Sequence, residues 1–372
     1  MILKEASLTH VVIPLERPFE TSFGVIDRRP ALVVRLVSAD GLEGYGESSP
    51  LYVPISEPET VDDAIPTIDS ILRSLIGREI DGVGGVRPFL DAMPGHPVSK
   101  LGVETAYLHI LSRERGIPLR ELLGKPDKTS IPVGESVGIK KTVDEVLEEV
   151  GLFLARGFKR IKVKIKPGKD IEVMRAVREA FPAIALGADA NSAYGKQDIG
   201  RLKELDDLGL MFLEQPFAAD DFDAFVEYKR VCRTQICLDE TVKDLASCRK
   251  THELGFCDMM NVKPARLGSF SESVAVHDFC FERGIPLFGG GRLETGLGRY
   301  LNAELYSLPG FTLPADMTPP LEYFPEDIVR PSFTVTDGEH GLSDRPGIGA
   351  DLDPEAVARH AKEERTYRPD GH

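Results

Sequence analysis

Apolar positions follow two different rhythms along the 372-residue chain, and the change between them falls near residue 131. Before it, Ala31 to Val37 is a β-branched run, Ala39-Asp40-Gly41 supplies a turn, and Gly44-Tyr45-Gly46-Glu47 resumes the extended pattern, which predicts a hairpin. From about 60 to 124 the period is helical, with Ile68, Ile71, Leu72 and Leu75 on one face and Val103, Tyr107 and Leu108 in a second segment. An N-terminal α+β unit is expected. Pro, Ser, Gly and charge collect at 17–29 and 51–59, which reads as two surface loops.

Beyond residue 131 short apolar strands alternate with amphipathic helices, the pattern of βαβ units around a parallel sheet. The clearest helix begins at Thr142, where Thr142 and Glu145 make a capping box. Val143, Val146, Leu147, Val150 and Leu154 then recur at helical spacing until Gly157 ends the run. Polar residues close successive apolar strands at a regular interval: Lys164, Asp189, Glu214, Asp239 and Lys263 are separated by 25, 25, 25 and 24 residues. That spacing suits one strand, one helix and two loops. A parallel array of this length predicts a TIM-type barrel with its functional groups at the C-terminal strand ends. An open doubly wound sheet would ordinarily carry a G-x-G-x-x-G turn, which Gly289-Gly290-Gly291, followed by Arg292-Leu293-Glu294, does not complete.

The strand ends also carry the candidate chemistry. In Arg160-Ile161-Lys162-Val163-Lys164-Ile165-Lys166 the alternation is strict. In a barrel Ile161, Val163 and Ile165 face the helices and the lysines turn inward, whereas on a surface sheet the lysines would face water. Burial and a like-charged neighbour both favour a neutral amine, so Lys162 beside Lys164 is a means of making a base. Asp189, Glu214 and Asp239 would adjoin one another around the rim. Three such acids suit a hard divalent cation, Mg²⁺, although an Asp at a strand end can instead cap the next helix. Lys164 on the second strand and Lys263 on the sixth of eight lie half a turn apart, an arrangement for two-base chemistry at an α-carbon.

Composition narrows the alternatives. Lys plus Arg number 45 against 60 for Asp plus Glu, a net charge of −15, the wrong sign for nucleic acid or an anionic membrane. Five scattered cysteines form no C-x-x-C pair, and no histidine pair has metalloprotease spacing. The first twenty residues lack a signal peptide's apolar run, so a soluble cytoplasmic protein is expected.

The motifs Lys162-Val163-Lys164, Asp189-Ala190-Asn191, Glu214-Gln215-Pro216, Asp239-Glu240 and Lys263-Pro264 resemble those of the enolase superfamily, in its muconate lactonizing subgroup. Lys164-Ile165-Lys166-Pro167-Gly168, Asp189 to Tyr194, Leu293 to Arg299, Phe311-Thr312-Leu313-Pro314 and Thr21-Ser22-Phe23-Gly24 are most similar to the o-succinylbenzoate synthase and N-succinylamino acid racemase family. The resemblance implies a (β/α)7β barrel over 126–318, an α+β capping domain over 1–125, and a C-terminal segment, 319–372, packed on the cap. It implies Mg²⁺ on Asp189, Glu214 and Asp239, acid/base catalysis by Lys164 and Lys263, and Lys162 as a helper that lowers the pKa of Lys164. Substrate contacts are implied for Ser22, Tyr52, Asn191, Gly291, Arg292, Glu294 and Thr295, with loops 17–29 and 51–59 closing over a small-molecule carboxylate. A homo-oligomer is expected.

The activity implied is α-proton abstraction through an enediolate, by dehydration, racemisation or both. A dipeptide epimerase or muconate-type cycloisomerase of the same subgroup is the alternative, and a non-catalytic ligand-binding barrel is the rival of another class. Gly290-Gly291-Arg292 stands where the family usually has Gly-Gly-Met. Arg292 is then either turned to solvent or a rim carboxylate, or recognises an additional anionic group on the substrate.

Overall fold

The structure, a computed structural model, describes residues 1–21, 24–54 and 57–369, with only the backbone described over 17–26. Strands β1 (Leu3–Thr21), β2 (Gly24–Ser38) and β3 (Glu43–Ser48) form an antiparallel meander. The C-terminal strand Ala361–Tyr367 pairs with β1, so the tail completes this sheet. The predicted hairpin is present, with Leu36 opposite Gly44 and Gly41 at φ +87° in the turn, a conformation that costs glycine little. The loop expected over 17–29 is corrected. Backbone pairing runs from Phe19 opposite Ile26 to Thr21 opposite Gly24, because the long arms of β1 and β2 extend the ladder through residues whose composition favours turns. Over 51–59 the described residues are irregular, as expected.

Helices Val61–Leu75 and Pro97–Arg115 cover the sheet. The first buries Ile68, Ile71, Leu72 and Leu75, as its pattern predicts. The second is buried from Val98 to Ser112 apart from Lys100, since it lies between the cap sheet and the barrel.

Eight strands then follow in parallel order: β4 (Ser130–Val137), β5 (Ile161–Lys164), β6 (Leu186–Asp189), β7 (Phe212–Glu214), β8 (Ile236–Leu238), β9 (Met259–Val262), β10 (Leu287–Gly289) and β11 (Ala315–Asp316). The last returns beside the first, with Ala315 opposite Val133. A hydrogen bond of 3.1 Å from Leu313 N to Leu287 O brings the two ends of the sheet together. The result is a nearly closed barrel whose strands are joined by helical connections, the (β/α)7β arrangement expected. The helix after Thr142 spans Val143–Ala155, with the capping box formed and Val146 and Val150 buried.

Inside the barrel, side chains stack in layers set by the period of two. Phe212, Cys237, Met259 and Phe288 form an apolar floor, and the two rings stack at 5.6 Å. Two residues further along these strands stand Glu214, Asp239, Asn261 and Gly290, so two of the four positions carry the acids. On the outward face Ile161, Val163 and Ile165 join the main core, so the lysines of that strand do turn inward.

Candidate active site

Register brings the strand ends together: Lys164 lies opposite Asp189, and Asp189 opposite Glu214. Asp189, Glu214 and Asp239 are 2%, 0% and 0% exposed. They do not cap the following helices, whose caps are Asp221, Asp244 and others. Each acid is held by an amine. Lys164 Nζ donates to Asp189 Oδ2 at 3.1 Å, Lys162 Nζ to Glu214 Oε2 at 2.8 Å, and Lys263 Nζ to Asp239 Oδ2 at 2.6 Å. Arg266 pairs with the other oxygen of Asp239. Asn261 Nδ2 donates to Glu214 Oε1 at 2.8 Å.

Burial and charge oppose each other here. Burial raises the Glu214 carboxyl to about 8, with Asp189 adding to it and Lys162 working against it. Burial works the same way on Asp239 and Asp189, but Arg266 and Lys263 hold the first below the usual carboxylate range, and Lys164 and Lys162 the second. Lys162, expected as the helper that lowers the pKa of Lys164, is itself buried. Burial favours the neutral form, yet Asp316, Glu214 and Asp189 push this amine well above its ordinary value, so it is a fixed ammonium next to Lys164. Lys263 is likewise pushed up, Asp239 outweighing burial.

Among the described residues no group of three or more His, Cys, Asp or Glu already stands as a metal cage. The donor set nonetheless fits a hard divalent cation. Three buried carboxylates converge from consecutive strands, and Glu214 is driven toward its neutral form by burial and by Asp189, the burden a cation relieves.

Of the residues expected to touch substrate, Asn191 joins this cluster: its Oδ1 accepts from Lys164 Nζ at 2.5 Å, and its Nδ2 donates to Glu240 Oε1 at 3.3 Å. Asn191 and Gln215 have φ of +42° and +38°, and Leu293 has +58°, so left-handed residues gather at these strand ends, as they often do where function fixes the backbone. Gly291 packs against Arg299 and the Asp316 carbonyl. Arg292 Nη1 lies 3.2 Å from Glu57 Oε1, and its side chain is buried. Glu294 and Thr295 both have partners within the protein. Glu294 is held by Arg299 at 3.1 Å and by Asn302 at 3.2 Å, while Thr295 caps the helix Gly296–Tyr306 and donates to Glu47 of the cap sheet at 2.5 Å. Tyr52 is 46% exposed, and its hydroxyl meets His10 Nε2 at 3.3 Å. Ser22 lies outside the described residues.

The sequence reading missed Arg266, Asn261 and Arg160 and gave Asp316 no role. Strand alternation was the available signal, since Arg160 and Asn261 stand two residues before Lys162 and Lys263. A cavity of about 610 Å³ between cap and barrel shares Glu57, Glu240 and Arg266 with the site but is not lined by Lys162, Lys164 or Lys263.

A capped eight-stranded barrel with acids on three consecutive strand ends and amines across the pore is the architecture of the enolase superfamily. The chain belongs to its mandelate racemase/muconate lactonizing enzyme family: the N-terminal domain model of that name matches residues 3–124, and an enolase C-terminal domain-like model matches 145–356. It is 36% identical to an o-succinylbenzoate synthase of Bacillus subtilis over 96% of each chain, and 41% identical to an N-succinylamino acid racemase of Thermus thermophilus over 95% of each. A solved enolase-superfamily member from Listeria innocua superposes with a TM-score of 0.94 at 33% identity, covering 99% of both chains. A muconate lactonizing enzyme from Pseudomonas fluorescens shares the fold at 23% identity, with a TM-score of 0.91. Enzymes of this family are generally Mg²⁺-dependent. No helix among the described residues is long and apolar enough to cross a membrane.

Proposed function

We propose that this chain removes the α-proton of a small carboxylate substrate with the help of a divalent cation, acting as an o-succinylbenzoate synthase, an N-succinylamino acid racemase, or both. The supporting observation is the placement of Lys164 at the end of β5 and of Lys263 directly after β9. These strands are four positions apart in a ring of eight, so the two amines stand on opposite sides of the pore, each beside its own acid. Asp189, Glu214 and Asp239 would hold Mg²⁺, which when bound stabilises negative charge developing on the substrate carboxylate.

One amine takes the α-proton onto Nζ, leaving the C–H electron pair in the conjugated carboxylate. For racemisation the opposite ammonium returns a proton to the other face of the α-carbon. For dehydration a β-hydroxyl departs, taking a proton to leave as water. Asn191 Oδ1 orients Lys164, and Asp239 orients Lys263. Both carboxylate oxygens of Asp316 are engaged by Lys162 and Arg160, which leaves none for a dipeptide's ammonium. The net charge of −15 supports a small-molecule partner over nucleic acid, and a cytoplasmic homo-oligomer completes the reading.

The test is α-deuteration of each enantiomer of N-succinyl-phenylalanine in D₂O with Mg²⁺, read by NMR, beside dehydration of the cyclohexadiene carboxylate precursor. Turnover in either assay is expected. Lys164→Ala and Lys263→Ala should each lower racemisation or dehydration by about 10²–10⁴-fold, each retaining exchange of at most one enantiomer. Wild type that neither deuterates nor dehydrates overturns the proposal.

A further inference from the structure

Below the acids runs a column of alternating charge that the proton-transfer scheme does not use. At its foot Arg160 is buried, with its guanidinium 5.0 Å from the Phe288 ring centre and 5.9 Å from that of Phe212. Its Nη2 donates to Pro314 O at 3.0 Å and pairs with Asp316 Oδ1, while Nε and Nη1 have no hydrogen-bond partner among the described residues. The other oxygen of Asp316 takes Lys162 Nζ at 2.7 Å. That same ammonium lies 2.8 Å from Glu214 Oε2 and 3.7 Å from Asp189 Oδ2. Lys162 therefore stands between one acid that belongs to no proposed metal shell and two that do.

We propose that Asp316 is a positioning residue for the metal site, holding the Lys162 ammonium back so that it does not compete with a divalent cation for Glu214 and Asp189. The inference rests on the metal reading above. Its physical basis is charge. An ammonium and a cation seek the same carboxylate oxygens, and in a buried site no water screens the contest. With Asp316 ionised, Arg160, Asp316 and Lys162 together carry one positive charge; without it they carry two, next to the cation's position. Asp316 is fixed for the task from three directions. Arg160 binds one oxygen, Arg299 Nη1 donates to its backbone carbonyl at 2.8 Å, and the β4–β11 pairing sets Asp316 opposite Gly134. Gly134 in turn has no side chain because a Cβ there would stand 2.7 Å from the Arg160 guanidinium carbon. The plainer account is that Asp316 only neutralises Arg160.

The two accounts separate in Mg²⁺ titration calorimetry of wild type, Asp316→Asn, Lys162→Met and the double variant, with circular dichroism as the folding control. Asp316→Asn is expected to weaken Mg²⁺ binding on the order of tenfold, because it removes one nearby negative charge and frees the ammonium. In the Lys162→Met background the same change should cost about threefold or less, since no ammonium remains to be restrained. Asp316→Glu, which keeps the charge, should restore most of the affinity. In turnover assays the Mg²⁺ requirement of Asp316→Asn rises while kcat at saturating Mg²⁺ stays within about threefold, a split that a merely structural loss would not produce. Equal affinity in wild type and Asp316→Asn, or an equal penalty in both backgrounds, overturns the proposal and leaves the metal reading intact. Wild type that binds no Mg²⁺ overturns both. Should Asp316→Asn not fold, Asp316→Ser in the wild-type and Lys162→Met backgrounds takes its place and is read in the same way.

Discussion

Gly290 determines how closely β10 can approach Lys263. A Cβ at that position would overlap Asn261 Oδ1 and come within 2.5 Å of Lys263 Cγ and 2.9 Å of its Cε. The backbone is held on both sides, its N–H donating to Val262 O at 2.9 Å and its carbonyl accepting from Tyr306 Oη at 2.7 Å, so the strand has little room to retreat. The side chains must move instead, and those are the amine beside Asp239 and the amide on Glu214. Gly290→Ala is therefore expected to lower kcat on the order of 10²-fold through misplacement of Lys263. Single-turnover kinetics checks this, with a thermal melt to show that the fold survives.

At the scale of elements, the cap is fastened to the barrel by carboxylates that finish barrel helices. Glu104, on the cap helix Pro97–Arg115, accepts from the amides of Phe270 and Ser271 and from Ser271 Oγ at 2.5 Å, covering the start of the barrel helix Phe270–Glu282. Glu47 of β3 does the same for the helix Gly296–Tyr306, accepting from Thr295 N at 3.2 Å and Gly298 N at 2.9 Å. Both arrangements satisfy amides that a helix start leaves open. Glu104→Ala strands two such amides in a buried place and should cost about 2 kcal/mol. Thr142→Ala, at an exposed cap, should cost about 1 kcal/mol. Urea midpoints of the two variants test the ranking.

The same contrast explains what the chain made legible. The Thr142 box lies within four residues, and the acids and lysines recur every 24 or 25 residues, so helix, barrel and the ring of charged strand ends could be read from spacing. The bond from Thr295 to Glu47 could not be read from the chain, because the two lie 248 residues apart. The strand pairing over 17–29 was hidden for a related reason, since a ladder depends on the partner arm and not on local composition. Arg266 was nearer to hand, three residues beyond Lys263 and one helical turn along, where its side chain returns to Asp239.

Across the whole molecule, buried titratable groups pull the pH dependence of stability in opposite directions. Glu47, Glu135 and Glu304 are pushed up to about 7, burial being the largest cause in each. Their folded-state values lie above those of an unfolded chain, so the stability they contribute is complete below about pH 4.5 and is lost as pH rises through 7. His109 and His340 are pushed down to about 4 by burial. Their contribution is complete above about pH 6.5 and is lost as pH falls through 4. The windows overlap; burial also raises Glu104 and Asp327 and lowers His10 and His277, so the two sets oppose each other, and the net charge of −15 adds self-repulsion that acid relieves in the same sense as the carboxyls. In EDTA, Glu214 at about 8 and Glu240 at about 7 act with the carboxyls.

The thermal midpoint in EDTA should therefore rise from pH 8 to about pH 5.5 and decline below about pH 4. Glu135 isolates one contribution. Its Oε1 accepts from Thr318 Oγ1 at 2.6 Å and from Ser136 N at 3.1 Å, and an amide oxygen can accept both. Glu135→Gln should match wild type near pH 4.5, where the carboxyl is protonated in the folded state, and exceed it by up to about 3 kcal/mol at pH 8. A variant destabilised equally at both pH values would show that hydrogen-bond geometry, not buried charge, governs this position.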